Sequence, residues 1–185
     1  HNLLKLSSLK MTTFKQELPD LEEFLKAVMT YSQDLFIISP AKESLLLKYY
    51  EQAGAILERL KQTKAAGIYL GIDPLLSKQE LLAIKLLAQQ TRTALIAASA
   101  VHYLEPADYF EVKVLRAIGK AEKLGGGWNK KNTLGKNYLK EIRQYHEEYQ
   151  ALGLKKALDE NARLCDLAQV TLAFPKTKLP HFKTP

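Results

Sequence analysis

Residues 93–104, TALIAASAVHYL, constrain this chain more than any other stretch. Ala94-Leu95-Ile96-Ala97-Ala98-Ser99 is small or apolar throughout, with no polar alternation, and helical patterns lie on both sides. A run of this kind reads as a strand buried on both faces of a parallel sheet. In α/β folds the chemistry collects just past the carboxyl ends of such strands. His102 falls there, directly before the helix start at Glu105-Pro106, and is the first candidate ligand of any metal or phosphate site.

The remaining segments fit the same architecture. Leu35 to Ile38, stopped by Ser39-Pro40, and Ile68 to Ile72, closed by Asp73-Pro74, are further short apolar runs expected as buried strands. Helices are expected from the N-terminus to about Met11, from Pro19-Asp20 to about Val28, and from Ser44 to about Lys64. The last is expected in two pieces because Gly54 costs about 1 kcal/mol against alanine in a helix interior. Its inward face is Leu46, Tyr50, Ile56, Leu57 and Leu60. Ser77-Lys78-Gln79-Glu80 reads as a capping box opening a helix to Gln90 with Leu81, Ile84, Leu87 and Ala88 on one side. Pro106 starts a helix that turns Val112, Leu115 and Ile118 inward. Tyr138 to Gln150 and Leu154 to Ala168 are two more, the last with a stripe of Leu154, Ala157, Leu158, Asn161, Leu164, Cys165 and Ala168. The strand–helix alternation predicts parallel strands, flanking helices and right-handed crossovers.

With 185 residues, 46% of them hydrophobic and 25% charged, the chain can bury a core without staples. The single cysteine, Cys165, excludes an internal disulfide framework and suits a reducing cytoplasm. No stretch approaches the roughly 18 apolar residues of a membrane span, so no membrane partner is expected. The net charge of +7 is compatible with DNA, although its basic residues are dispersed rather than clustered. Gly125-Gly126-Gly127 with Lys130, Lys131 and Lys136 lacks the preceding strand and the G-K-[ST] ending of a phosphate loop, and reads as a surface loop. The chain opens at His1 inside a helical pattern and closes on a proline-punctuated stretch. Both ends are expected to be cuts through a larger protein.

Three blocks carry a resemblance. AASAVHYLEPADYFEVKVLRAI resembles the segment that follows an A-T-N-D-V-H-Y-L strand end in bacterial DNA polymerase III alpha subunits. Ala157-Leu158-Asp159-Glu160-Asn161-Ala162-Arg163-Leu164-Cys165 followed by Leu179-Pro180-His181-Phe182 is similar to the family's N-T-x-x-I-A-x-x-C … L-P-x-F. The opening Asn2 to Ser8 is similar to its N-L-x-K-L-S-S helix. The short spacing between blocks looks most like the DnaE-type enzymes of low-GC Gram-positive bacteria. The resemblance implies a PHP (polymerase and histidinol phosphatase) domain, a distorted (β/α)7 barrel. Residues 1–175 would be its C-terminal two-thirds and residues 176–185 a linker toward the polymerase palm.

By the same resemblance the parent protein is a DNA-directed DNA polymerase, a nucleotidyltransferase whose palm would use Mg. The partners implied are the palm and thumb of the same chain, DNA, and other replisome subunits. This stretch carries none of the palm carboxylates and is expected to be inactive alone. Relatives with an intact PHP site bind divalent metals through an Asp-x-His at this strand end. Here Ala100-Val101-His102 keeps the histidine as a remnant ligand position and replaces the aspartate by alanine, which cannot coordinate. His1, His146 and His181 do not restore a ligand spacing, and the strand exit Ser39-Pro40-Ala41 offers none. The expectation is a structural module with a degenerate metal site and no cofactor of its own, with His102 lining a closed or water-filled pocket. The alternative is a metal-dependent phosphoesterase or proofreading PHP domain, completed by ligands that precede His1.

Overall fold

A computed structural model describes residues 1–12, 21–42, 44–123 and 135–171. Its centre is a parallel sheet of three strands in the order β1-β2-β3, with β1 Phe36–Ser39, β2 Gly67–Ile72 and β3 Ala94–Ala97. Ile72 stands beside Ala97, so β2 and β3 finish level, while Ser39 stands beside Leu70 and β1 ends two residues short of them. The expected parallel strands with flanking helices are therefore present, as a small open sheet. A (β/α)7 barrel is not formed by the described residues.

The middle strand is buried because both its edges are occupied, and Tyr69, Leu70 and Ile72 are core residues. Gly71 is forced by closeness: a Cβ there would lie 2.5 Å from the Ser39 carbonyl and 2.9 Å from the Ala98 Cβ. Helices α3 (Leu45–Lys48) and α4 (Tyr50–Lys61) link β1 to β2. The expected interruption falls at Tyr49, whose φ of −112° and ψ of 48° leave the helical region, and α4 runs unbroken through Gly54. A Cβ at Gly54 would meet only Thr91, at 3.9 Å, so nothing bends the helix there. Ala53, Ile56, Leu57 and Leu60 form the buried face, while Tyr50 is exposed, a correction to the expected stripe.

Helix α5 (Lys78–Thr91) returns to β3, and its capping box forms as expected. The Ser77 hydroxyl accepts from the Glu80 amide at 3.2 Å, and the Glu80 carboxylate accepts from the Ser77 amide at 2.9 Å. Such a cap stabilises a helix by about 1 kcal/mol. Ile84, Leu87 and Ala88 are buried and Leu81 packs against them.

Helices α1 (Asn2–Thr12) and α2 (Leu21–Tyr31) pack on one another ahead of the sheet. Leu3 and Leu4 of α1 remain exposed. Leu25 of α2 is core, and Phe24, Leu25 and Val28 flank Ile37 and Ile38 of β1 around a cavity of about 140 Å³. The outer side of the sheet is thus bordered by α2.

After β3 the structure departs most from the expectation. The strand ends at Ala97; the Ala98 amide still donates to the Ile72 carbonyl at 3.0 Å, and Ser99 to Val101 then leave the sheet, so His102 lies well past the strand rather than directly at its end. Tyr103 and Tyr138 then form an isolated parallel bridge. Pro106–Asp108 is a 3-10 turn leading into α6 (Tyr109–Lys120). Leu115 and Ile118 are 67% and 70% exposed and Val112 only half-buried, against the inward face predicted for them. The reason is topological. Helix α8 (Lys155–Leu167) lies along β3 where a fourth strand would pair, so α6 has no strand to cross over.

Helix α7 begins at Ile142 rather than Tyr138 (Ile142–Ala151), because Tyr138 is held in the bridge. In α8 Leu154, Ala157 and Leu158 are buried, but Cys165 and Ala168 are exposed. No helix among the described residues is long and apolar enough to cross a membrane. The glycine-rich stretch 125–127 with Lys130 and Lys131, the block Leu179-Pro180-His181-Phe182 and the expected linker 176–185 lie outside the described residues.

Candidate functional site

The carboxyl ends of the three strands carry a chain of polar side chains. Ser39, the last residue of β1, shares a 2.7 Å hydrogen bond with the hydroxyl of Ser44, which caps α3 by accepting from the Leu46 amide. Asp73 follows β2 directly and is buried. One of its carboxylate oxygens accepts from the Leu75 amide at 2.8 Å, closing the turn before α5. The other accepts from the Ala100 amide at 3.3 Å. The carboxylate therefore ties the exit of β2 to the exit of β3.

Tyr149, wholly buried on α7, brings a hydroxyl to the same place. It donates to the Ile72 carbonyl at 2.9 Å and lies 3.0 Å from the Ser99 hydroxyl. Burial pushes its phenol well above the usual tyrosine range, with the neighbouring Tyr145 and Asp73 acting in the same direction and the Ser99 hydrogen bond opposing. Asn137 completes the group: its side-chain amide donates to the Ala100 carbonyl at 3.0 Å, and its own carbonyl accepts from the His102 amide at 2.9 Å. Both backbone groups of residue 100 are engaged.

One strand further, Asn161 of α8 holds the open edge of β3. Its Oδ1 accepts from the Ala97 amide at 2.9 Å and its Nδ2 donates to the Ala97 carbonyl at 3.0 Å. A single side-chain amide thus satisfies both groups that a neighbouring strand would otherwise pair.

His102 takes no part in this network through its side chain. It is exposed, and among the described residues only its backbone amide is bonded. It does not line the pocket expected for it. His1 and His146 are likewise exposed, and His181 lies outside the described residues. Among the described residues no three His, Cys, Asp or Glu side chains stand together as a metal would require. Among the described residues, Asp73 turns both its oxygens onto N–H donors and His102 lies apart in solvent, so the two do not come together as ligands of one metal cluster. Chemically the arrangement fastens strand ends; it presents no nucleophile–base pair.

The residues that carry this network, Asp73, Ser99, Asn137, Tyr149 and Asn161, were not the ones singled out from the strand-end rule. Asp73 could have been found by it, because it follows an apolar run directly, as His102 was thought to do. Tyr149 and Asn161 sit on helices more than 60 residues away in sequence from the backbone groups they bond; the stripe of the last helix places Asn161 inward, but no local pattern names its partner or marks Tyr149.

No protein-family model matches the chain, and none of the curated proteins matches it.

Proposed function

We propose that this chain is a structural PHP-type module of a replicative DNA polymerase III alpha subunit, a scaffold that has kept strand-end architecture and not its metal chemistry. One observation carries the reading. The polar groups at the carboxyl end of the sheet, where α/β enzymes keep their reacting groups, are spent on backbone atoms. Asp73 serves Leu75 and Ala100, Tyr149 serves Ile72, and Asn161 serves Ala97. The resemblance of the three sequence blocks supports the polymerase context. In that context the module packs against the palm and thumb of its own chain and positions them; nucleotide transfer belongs to the palm.

The test uses the intact parent polypeptide, purified without chelator. Primer extension on a primed template, with a His102→Ala variant extending at the wild-type rate and elemental analysis finding no transition metal, is the expected result. A parent without primer extension refutes the polymerase context. About two bound metals per chain, with phosphoesterase turnover lost in His102→Ala, refutes the scaffold in favour of a metal-dependent phosphoesterase.

A further inference from the structure

The opposite end of the sheet holds a different kind of place. A cavity of about 370 Å³ opens at the amino ends of β2 and β3, within the range of small-ligand sites. Three cationic side chains from three helices line it: Lys61 closing α4, Arg92 following α5, and Arg163 within α8. We propose that this cavity binds a phosphate group.

The charge balance favours an anion. Lys61 has Glu58 at 2.9 Å and Arg163 has Glu160 at 2.8 Å, whereas Arg92 makes no side-chain hydrogen bond or ion pair among the described residues. These five groups leave one positive charge uncompensated, and it belongs to Arg92. Three of the carbonyls at the end of α5, which would repel an anion, already have donors. The Arg92 and Thr93 amides donate to Ala88 and Gln89, and the Lys61 ammonium donates to the Thr91 carbonyl.

A neutral donor is built into the same wall. Tyr69 is 4% exposed, and its hydroxyl accepts from the Arg163 guanidinium at 3.3 Å. Its own proton has no acceptor among the described residues and is available to a ligand oxygen. The ring can lie back along the strand toward the cavity only because residue 67 is glycine: a Cβ there would stand 2.9 Å from the ring and 3.1 Å from the hydroxyl. Arg92 is also held where glycine is preferred, in the left-handed region at φ 50° and ψ 40°. That conformation is costly for arginine and carries its unpaired guanidinium at the cavity wall.

The experiment titrates the 185-residue chain at constant ionic strength with inorganic phosphate and, separately, with a single-stranded oligodeoxynucleotide. The amide resonances of Gly67, Arg92 and Thr93 are followed. Saturable shifts are expected. Arg92→Gly should weaken binding by about tenfold or more, the worth of a charge-assisted hydrogen bond. Its melting temperature should hold or rise, because glycine adopts the left-handed cap freely. Tyr69→Phe should weaken binding more modestly. Saturation by inorganic phosphate identifies a small phosphate ligand; saturation by the oligonucleotide alone identifies a nucleic-acid backbone. No saturable shift with either probe, or an Arg92→Gly variant that binds as the wild type does, overturns the proposal.

Discussion

Replacing Asn161 by alanine removes both hydrogen bonds that hold the free edge of β3. The Ala97 amide and carbonyl, in a residue only 7% exposed, then lose their partners at 2.9 and 3.0 Å. Each lost bond costs about 1 kcal/mol net, and a buried group left unsatisfied costs about 1–3 kcal/mol. Allowing for water reaching the vacated space, the expected loss is about 2–4 kcal/mol. That is a large share of the 5–15 kcal/mol typical of a whole domain. Urea unfolding followed by circular dichroism reads the loss, together with hydrogen exchange at the Ala97 amide, which should lose protection ahead of β2. Asn161→Asp sharpens the test. Its carboxylate can accept from the Ala97 amide but cannot donate to the carbonyl, so the folded state favours the protonated acid. The variant's carboxyl is therefore raised above its unfolded value near 4, and its stability is recovered as pH falls toward and below that range and lost above it. An alanine variant within about 0.5 kcal/mol of wild type, with Ala97 protection unchanged, would refute the claim that a side-chain amide replaces a strand.

Two further outcomes follow from the same geometry. Tyr149→Phe should cost about 1 kcal/mol by thermal unfolding, because it removes the hydroxyl's bonds to the Ile72 carbonyl and Ser99 while the Ile72 carbonyl keeps the Ala98 amide at 3.0 Å. Because burial raises the Tyr149 phenol, the wild type should lose stability as pH rises past the unfolded tyrosine value of about 10, and the phenylalanine variant should lose less; identical alkaline profiles would contradict this. Gly71→Ala should destabilise by about 2 kcal/mol or more, since the atom 2.5 Å from its Cβ is the Ser39 backbone carbonyl, which cannot turn aside as a flexible side chain would. A variant as stable as wild type in urea would mean that β1 and β2 can part at little cost.

Local signals were legible where chain neighbours decide the outcome. The apolar runs before Ser39-Pro40 and Asp73-Pro74 became β1 and β2, and the box at Ser77 and Glu80 formed with both reciprocal bonds. They misled where a neighbour from elsewhere intervenes. The apolar stripe of α6 was read as an inward face because periodicity reports amphipathicity without reporting what lies opposite. With α8 on the edge of β3, the side chains of Leu115 and Ile118 face no strand. His102 lies farther from the sheet than expected for a related reason. His102 was placed by assuming that the whole apolar run stays in the sheet, but the ladder stops at Ala97, and an apolar run does not mark where pairing ends.

By itself, then, the sequence determined the alternation of parallel strands and helices, the capping of α5 and most of its apolar face, because periods of two or 3.6 residues and cap chemistry act within one turn or one strand. The tertiary structure alone decided how many strands pair, which edge α8 covers, and which polar groups meet at the two ends of the sheet. Asn161 finding Ala97, Tyr149 finding Ile72 and Arg163 finding Tyr69 each join residues at least 64 positions apart. Their partners are set by packing of the intervening chain, and no spacing along the sequence encodes them.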